Sequence, residues 1–226
     1  MIVDTEIWWD EVRTAFAAHR AAAWTAADRQ AVMGRNSRGW AIVMRDRLGL
    51  DEPLEAIERE VVDGMIARFA ADPSPLIPGA AATIRRLAAR YPLAIASSAH
   101  PDVIAAALRT TGLGPSFRVV AASDEVPDGK PHPDVYLLAA ERLAIEPRRC
   151  LVVEDSLNGV LAGRAAGMIV ALVPNAAVPP APGTAEAADV ILSSIDRLDP
   201  VEIEAAFATR LADETGAAAD PLGSRG

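Results

Sequence analysis

Cysteine is nearly absent. The 226-residue sequence has one, Cys150, so no intrachain disulfide can form, and one cysteine with three histidines cannot build a zinc cluster without carboxylate help. Cys150 opens an apolar run and is expected as a small packing residue rather than a nucleophile. No apolar run of about 18 residues occurs, and the N-terminus lacks the basic-then-apolar layout of a secretory signal. A cytoplasmic protein with no membrane partner is expected. Positive charge is in deficit, with 22 Lys and Arg against 31 Asp and Glu and a net charge of −9. Such a field disfavours nucleic acid and anionic membranes as general partners, yet a local pocket can still be positive enough for a small anion. What is present in quantity is apolar: 51% hydrophobic against 23% charged residues, a globular composition long enough to bury a core. No internal repeat is visible, and monomer and homodimer are both compatible with the composition.

From residue 5 to about 71 the periodicity is helical only. "TEIWWDEVRTAFAAHR" places Ile7, Trp8, Val12, Phe16 and Ala17 on one face, and "DEPLEAIEREVVDGMIARFA" does the same with Leu54, Ile57, Val61, Met65 and Phe69. Asp51 and Glu52 suit the dipole at that second helix's start. "ADPSPLIPG" then breaks the pattern with three prolines and a glycine. After Gly79 short apolar runs alternate with helical stretches: "PLAIAS", "FRVVAAS", "CLVVED", "MIVALV" and "ADVILSS". This alternation predicts βαβ units and a parallel sheet covered on both faces, an α/β Rossmann-like core preceded by a helical segment. The pattern divides the chain into a helical segment over 5–78, an α/β part over 79–214 and a disordered tail over 215–226.

Ligands of open α/β sheets bind beyond the carboxyl ends of the strands, so the polar residues there are the candidates. "LAIASSAHPDV" ends a strand in Ser97 and Ser98 just before a helix near Pro101, where hydroxyls and free amides form an anion site or simply cap the helix. "SDEVPDGKPHPDVY" sets Lys130 between Gly129 and Pro131, with Pro133 suited to a first helical turn. Prolines on that side stiffen the peptide and aim the ammonium at a phosphate or at the group attacking it. "LVVEDSLNGVLAGRAAGM" ends an apolar run in adjacent carboxylates, Glu154 and Asp155, which repel each other unless a cation sits there. Mg²⁺, held by one or two carboxylates plus water and phosphate oxygens, suits such a pair. Gly159, Gly163 and Gly167 let the next helix lie close to the sheet. Arg35 in "MGRNSRGW" and His100 are further candidates for substrate contact, and of the adjacent Trp8 and Trp9 only one can face the core.

Together and in this order, "SS", "GKPHPD" and "VVEDS" resemble the haloacid dehalogenase superfamily, in its phosphatase-like branch with a helical cap near the N-terminus. "IVDTE" resembles the stretch leading into that cap and "LIPGA" the return to the core, so the likeness spans about residues 2 to 197. The resemblance implies an Mg²⁺-dependent phosphatase acting on a small phosphorylated metabolite through an aspartyl phosphate. It implies that Ser97 and Lys130 hold the transferring group and balance its charge, with Ser98, Arg35 and His100 as further substrate contacts, and that Glu154 and Asp155 hold the metal. The cap closes over the site and contributes specificity.

One motif of the resemblance is not matched. The family's first strand ends in Asp-x-Asp-Gly, whose first Asp attacks phosphorus and whose second is the acid/base. Aligned on "VDTE" that pair falls just before Met1, and Asp4 has no second aspartate two positions away. The first core strand is therefore expected to be missing from this chain, through a late start or a truncation, and the chain as given is expected not to catalyse. Other readings are a β-phosphoglucomutase-type sugar phosphomutase, against which Ala99, His100 and Pro101 replace the expected polar and basic contacts, a dehalogenase proper, against which the Glu154–Asp155 pair counts, and a non-catalytic remnant.

Overall fold

A computed structural model describes residues 1–175, 179–201, 203–205 and 207–208. The tail expected as disordered, 215–226, and the last stretch of the expected core, 209–214, lie outside the described residues. Helices α1 (Glu6–Ala18), α2 (Ala26–Val32), α3 (Ser37–Leu48), α4 (Leu54–Ala71) and α5 (Ala80–Ala88) come first. Then β1 (Ala94–Ser97), α6 (Pro101–Thr111), β2 (Val119–Ala122), α7 (Asp134–Leu143), β3 (Leu151–Glu154), α8 (Leu157–Ala165), β4 (Ile169–Leu172), α9 (Thr184–Ala187) and β5 (Val190–Ile191) alternate as the sequence pattern predicts.

The first four helices form on apolar stripes, and α2 and α3 also have side-chain caps at their starts. At α2, Thr25 and Asp28 form a reciprocal capping box, and at α3 the Asn36 side chain accepts the Gly39 amide. Gly49 ends α3 at φ +63°, a left-handed conformation that glycine adopts without strain. Their stripes bury Trp8, Phe16, Trp40, Met44, Ile57, Met65 and Phe69 together. Glu52 does not serve the dipole of α4, which begins at Leu54 after Pro53. Instead Glu52 takes the Arg20 guanidinium at 2.6 Å, which also binds Glu60 at 2.8 Å, tying α1 to α4. The same apolar cluster extends to Val103 and Ala106 of α6, so the helical layer packs directly on the α/β part. The two chain crossings run side by side: Val3 and Leu76 form an antiparallel bridge, and the Asp4 amide donates to Pro75 O at 2.9 Å.

All strand pairs are parallel, but they fall into two sheets. β1 pairs with β2, and β3–β4–β5 form a second sheet in that order. Among the described residues β1 and β3 each have one paired edge, and both line the same cavity. β4 is fully buried, as a central parallel strand requires, while β5 holds only two residues. Gly163 allows α8 to approach: a Cβ there would lie 2.8 Å from Val170 Cγ2 and 3.3 Å from Val152. Gly167 has a different role from the expected one. Nothing stands within 4 Å of its Cβ position, and its φ of +72° serves the turn into β4. Among the described residues no helix is long and apolar enough to cross a membrane.

Candidate active site

Lys130 is the single lysine of the sequence, the other 21 of the 22 basic residues being arginine. It follows β2, and its Nζ lies 2.5 Å from Glu154 Oε1 and 3.3 Å from Ala96 O on β1. The ammonium also stands 4.6 Å from the Tyr136 ring centroid, and both side chains of the Lys130–Glu154 pair are less than a tenth exposed. The Lys130–Pro131 peptide is cis. Pro133 precedes α7 as its cap rather than entering its first turn, because the Tyr136 amide closes that turn on Pro133 O.

Glu154 is held on every side. Oε1 receives Lys130 and the Tyr136 hydroxyl at 2.7 Å, and Oε2 receives the amides of Asp155 and Ser156 and the Ser156 hydroxyl at 3.0 to 3.2 Å. Burial alone would raise its pKa, but Lys130 and these donors outweigh desolvation and bring it to about 2. The Tyr136 phenol is pushed the other way, by burial and then by the Glu154 charge. Asp155 differs from its neighbour. Burial and Glu154 raise its pKa, against the Met1 amino group and Lys130, and its carboxylate lines the cavity.

That cavity has a volume of about 1580 Å³ and brings together Ser97, Ser98, Lys130, Glu154 and Asp155 at the strand ends. It exceeds the roughly 300–1,000 Å³ of an ordinary ligand cleft because it also runs between β1 and β3. Ser97 Oγ accepts the Ala99 amide at 3.1 Å, which leaves its proton free to donate. From the helical side Glu6, Trp9, Arg13, Arg35 and Trp40 complete the wall. The start of α3 is fastened to the segment after β2: the Ser37 hydroxyl donates to Asp124 at 2.6 Å and its amide to the same carboxylate at 2.9 Å. His100 is not part of the wall. Its Nδ1 accepts the Asp102 amide at 3.2 Å and so caps α6. Arg35 is exposed, with Nε given to Ala31 O at 2.8 Å.

Residues 2–167 match the haloacid dehalogenase-like hydrolase family. The chain belongs to that family. Among curated relatives it is 45% identical over 101 residues to the bifunctional riboflavin kinase/FMN phosphatase of Arabidopsis thaliana, covering 44% of this chain and 27% of that protein. It is 36% identical over 146 residues to hexitol phosphatase A of Escherichia coli, covering 64% and 62%. Matched segments span 27% to 46% of the length of the first three curated relatives. The crystal structure of β-phosphoglucomutase from Clostridium difficile superposes with a TM-score of 0.79 at 16% identity, covering 94% of this chain and 95% of that one, a likeness of fold.

The family resemblance implies a metal at Glu154 and Asp155, and the two residues do not fit it equally. Five donors surround the four lone-pair sites of Glu154, Lys130 among them, which leaves none for a cation in this arrangement. Asp155 is a cavity carboxylate held at raised pKa by burial, the kind of group whose ionised form a cation favours. Among the described residues no cluster of three or more His, Cys, Asp or Glu forms, so a metal here needs oxygens from water and substrate, as Mg²⁺ commonly does.

Sequence reasoning missed Tyr136, Glu6 and Arg13. Tyr136 stands six residues after Lys130 on the apolar face of α7, where an aromatic reads as core. Arg13 lies one helical turn after Trp9, a spacing that could have signalled a stacked guanidinium. Trp8 packs edge-on against Phe69 at 5.1 Å while Trp9 faces the cavity, as two adjacent residues on a helix must divide. Cys150 is half-buried, and burial pushes its thiol up, away from a nucleophile's range.

Proposed function

We propose that this chain carries the phosphate-holding and metal-holding parts of an Mg²⁺-dependent phosphatase for a small phosphorylated metabolite. The observation that carries the reading is the meeting of the sole lysine, two strand-end serines and an unsaturated carboxylate in one cavity. Ser97 donates its hydroxyl to a phosphoryl oxygen, and the amides entering α6 favour the same negative charge. Lys130, fixed by Glu154 and Tyr136, sets a positive charge beside the transferring group, where it stabilises charge spread over the equatorial oxygens. Asp155 is the residue to hold Mg²⁺, which when bound neutralises phosphate charge and orients an oxygen. Residues 5–78 act as the cap and 1–4 with 79–214 as the core, with Ser37–Asp124 as one fastening between them. His100 is withdrawn from substrate contact by its capping bond, and Arg35 keeps only a peripheral place.

The nucleophile is assigned to an Asp-x-Asp strand lying between β1 and β3. No two aspartates in the sequence stand two positions apart, and the edges of β1 and β3 that line the cavity are those such a strand would pair with. Residues 1–226 alone are expected to bind phosphate without turning over p-nitrophenyl phosphate. A chain extended by a strand ending in Asp-x-Asp is expected to turn it over with Mg²⁺.

The single lysine makes the binding test direct. Amine acylation followed by peptide mass spectrometry reads Lys130 and the N-terminal amine separately. Inorganic phosphate with Mg²⁺ is expected to slow labelling of Lys130 and not of the N-terminus, and Asp155→Asn to remove the Mg²⁺ contribution. Equal labelling of Lys130 with and without saturating phosphate would refute the site.

A further inference from the structure

On the helical wall of the cavity one cation has no acceptor. Arg13 carries its guanidinium beside two tilted indoles, 4.9 Å from the Trp9 centroid and 5.6 Å from that of Trp40. Its Nε is enclosed and makes no hydrogen bond, and among the described residues the side chain enters no ion pair. Asp10, one of the two carboxylates within electrostatic reach, is occupied by Arg29 at 3.2 Å, and Glu6, the other, forms no salt bridge with it. Burial lowers the Arg13 pKa to about 10, against these two charges, so it remains a cation at neutral pH. A guanidinium is five donors and no acceptor, and enclosing its Nε without a partner is unfavourable. The two indole faces recover part of this through cation–π attraction. They also hold the planar fork in one orientation, which is preorganisation for a planar or tetrahedral oxyanion.

The position fixes which anion. Ser97, Lys130 and Asp155 line the same cavity as Glu6, the first residue of α1, and Arg13, seven residues further along that helix. Seven residues along a helix rise on the order of 10 Å, a span that the arginine side chain shortens. We infer that Arg13 receives a second oxyanion, carried by the substrate a few carbons from the phosphoryl group that Ser97 and Lys130 hold. The substrate class is then a small organic phosphate with a carboxylate or a second phosphate at its far end. This rests on the phosphoryl-transfer reading above for the near end and on Arg13 for the far end.

Trp9 and Trp40 supply the readout, since their emission reports what binds beside them. Phosphoglycerate and glycerol phosphate differ in a carboxylate against a hydroxymethyl group, and residues 1–226 are titrated with each by tryptophan fluorescence and calorimetry. The expected result is tighter binding of phosphoglycerate by about tenfold or more, the scale of a charge-assisted hydrogen bond. In Arg13→Gln that ratio falls to about one with glycerol phosphate affinity little changed, and in Arg13→Lys part of the ratio survives. A sugar bisphosphate against its monophosphate separates a phosphate preference from a carboxylate one. A wild-type ratio near one in both pairs overturns the inference without any variant, and so does a ratio that Arg13→Gln leaves intact. Unchanged affinities for both esters in Lys130→Ala overturn the near-end reading instead, while the ratio still decides Arg13.

Discussion

Replacing Gly159 by alanine sets two magnitudes against each other. Gly159 is the third residue of α8, and since alanine is better than glycine by up to about 1 kcal/mol in a helix, propensity alone predicts a more stable protein. At this position a Cβ would lie 2.0 Å from the Glu154 carboxyl carbon and 2.1 and 2.3 Å from its oxygens. The end of a glutamate usually moves aside easily. Here it is held by Lys130 at 2.5 Å, Tyr136 at 2.7 Å and three donors from Asp155 and Ser156, so a retreat of more than an ångström takes it out of bonding range. Overpacking costs about 1–3 kcal/mol and breaking one side of a buried ion pair about 3–5 kcal/mol. The clash wins, with a net loss of roughly 2–4 kcal/mol after the helix gain is subtracted, or about 5–15 °C in Tm for a chain of this size. Thermal unfolding followed by circular dichroism measures it. The double variant Glu154→Ala/Gly159→Ala should be far less unstable than the sum of the two single changes, because the first removes what the second strikes. A Gly159→Ala Tm equal to or above that of the parent refutes the account of this packing.

One further outcome concerns the Glu154 ion pair and another the packing of α8 on the sheet. Because the folded pKa of Glu154, about 2, lies below its ordinary 4.5, its ion pair stabilises fully above pH 4.5 and is lost as the pH falls from there towards 2. Denaturant midpoints measured across that window should drop steeply in the parent, whereas Glu154→Gln, already weaker at pH 7, should drop less. Gly163→Ala, whose Cβ would meet Val170 Cγ2 at 2.8 Å, should lower the denaturant midpoint by about 1–3 kcal/mol of stability, and an unchanged midpoint counts against the close α8–sheet contact.

The alternation of apolar runs and helices was legible because parallel strands covered on both faces are continuous apolar segments, as "MIVALV" and buried β4 show. Lys130 was legible through its rigid flanks and because strand ends are where such a sheet places its chemistry. The partition of the acidic pair was not. Adjacent carboxylates look alike in a sequence, and only the donors gathered around Glu154 from α7 and the following loop separate it from Asp155. His100 misled for a similar reason: a histidine before Pro-Asp reads equally as a contact or as a cap, and the Asp102 amide chose. Arg13 sits on what periodicity marks as the polar side of α1, and that side faces water or a cavity depending on Trp40, which is 27 residues away.

In residues 1–226 the division of the strands into β1–β2 and β3–β4–β5 bears on local opening, which a strand between β1 and β3 would restrict. Backbone ladders spread any local opening across a whole sheet, and none of the paired residues joins these two groups. Their coupling runs through side chains, by way of α7 packed against β1 and β2 and of Lys130 bridging Ala96 O to Glu154. Amide protons on β4, buried between two neighbours, should exchange only with global unfolding, whereas those of β1 should follow a smaller, separate opening. A ligand that grips Ser97 and Asp155 at once ties the two groups together, so its binding should be felt as slower exchange in strands it never touches.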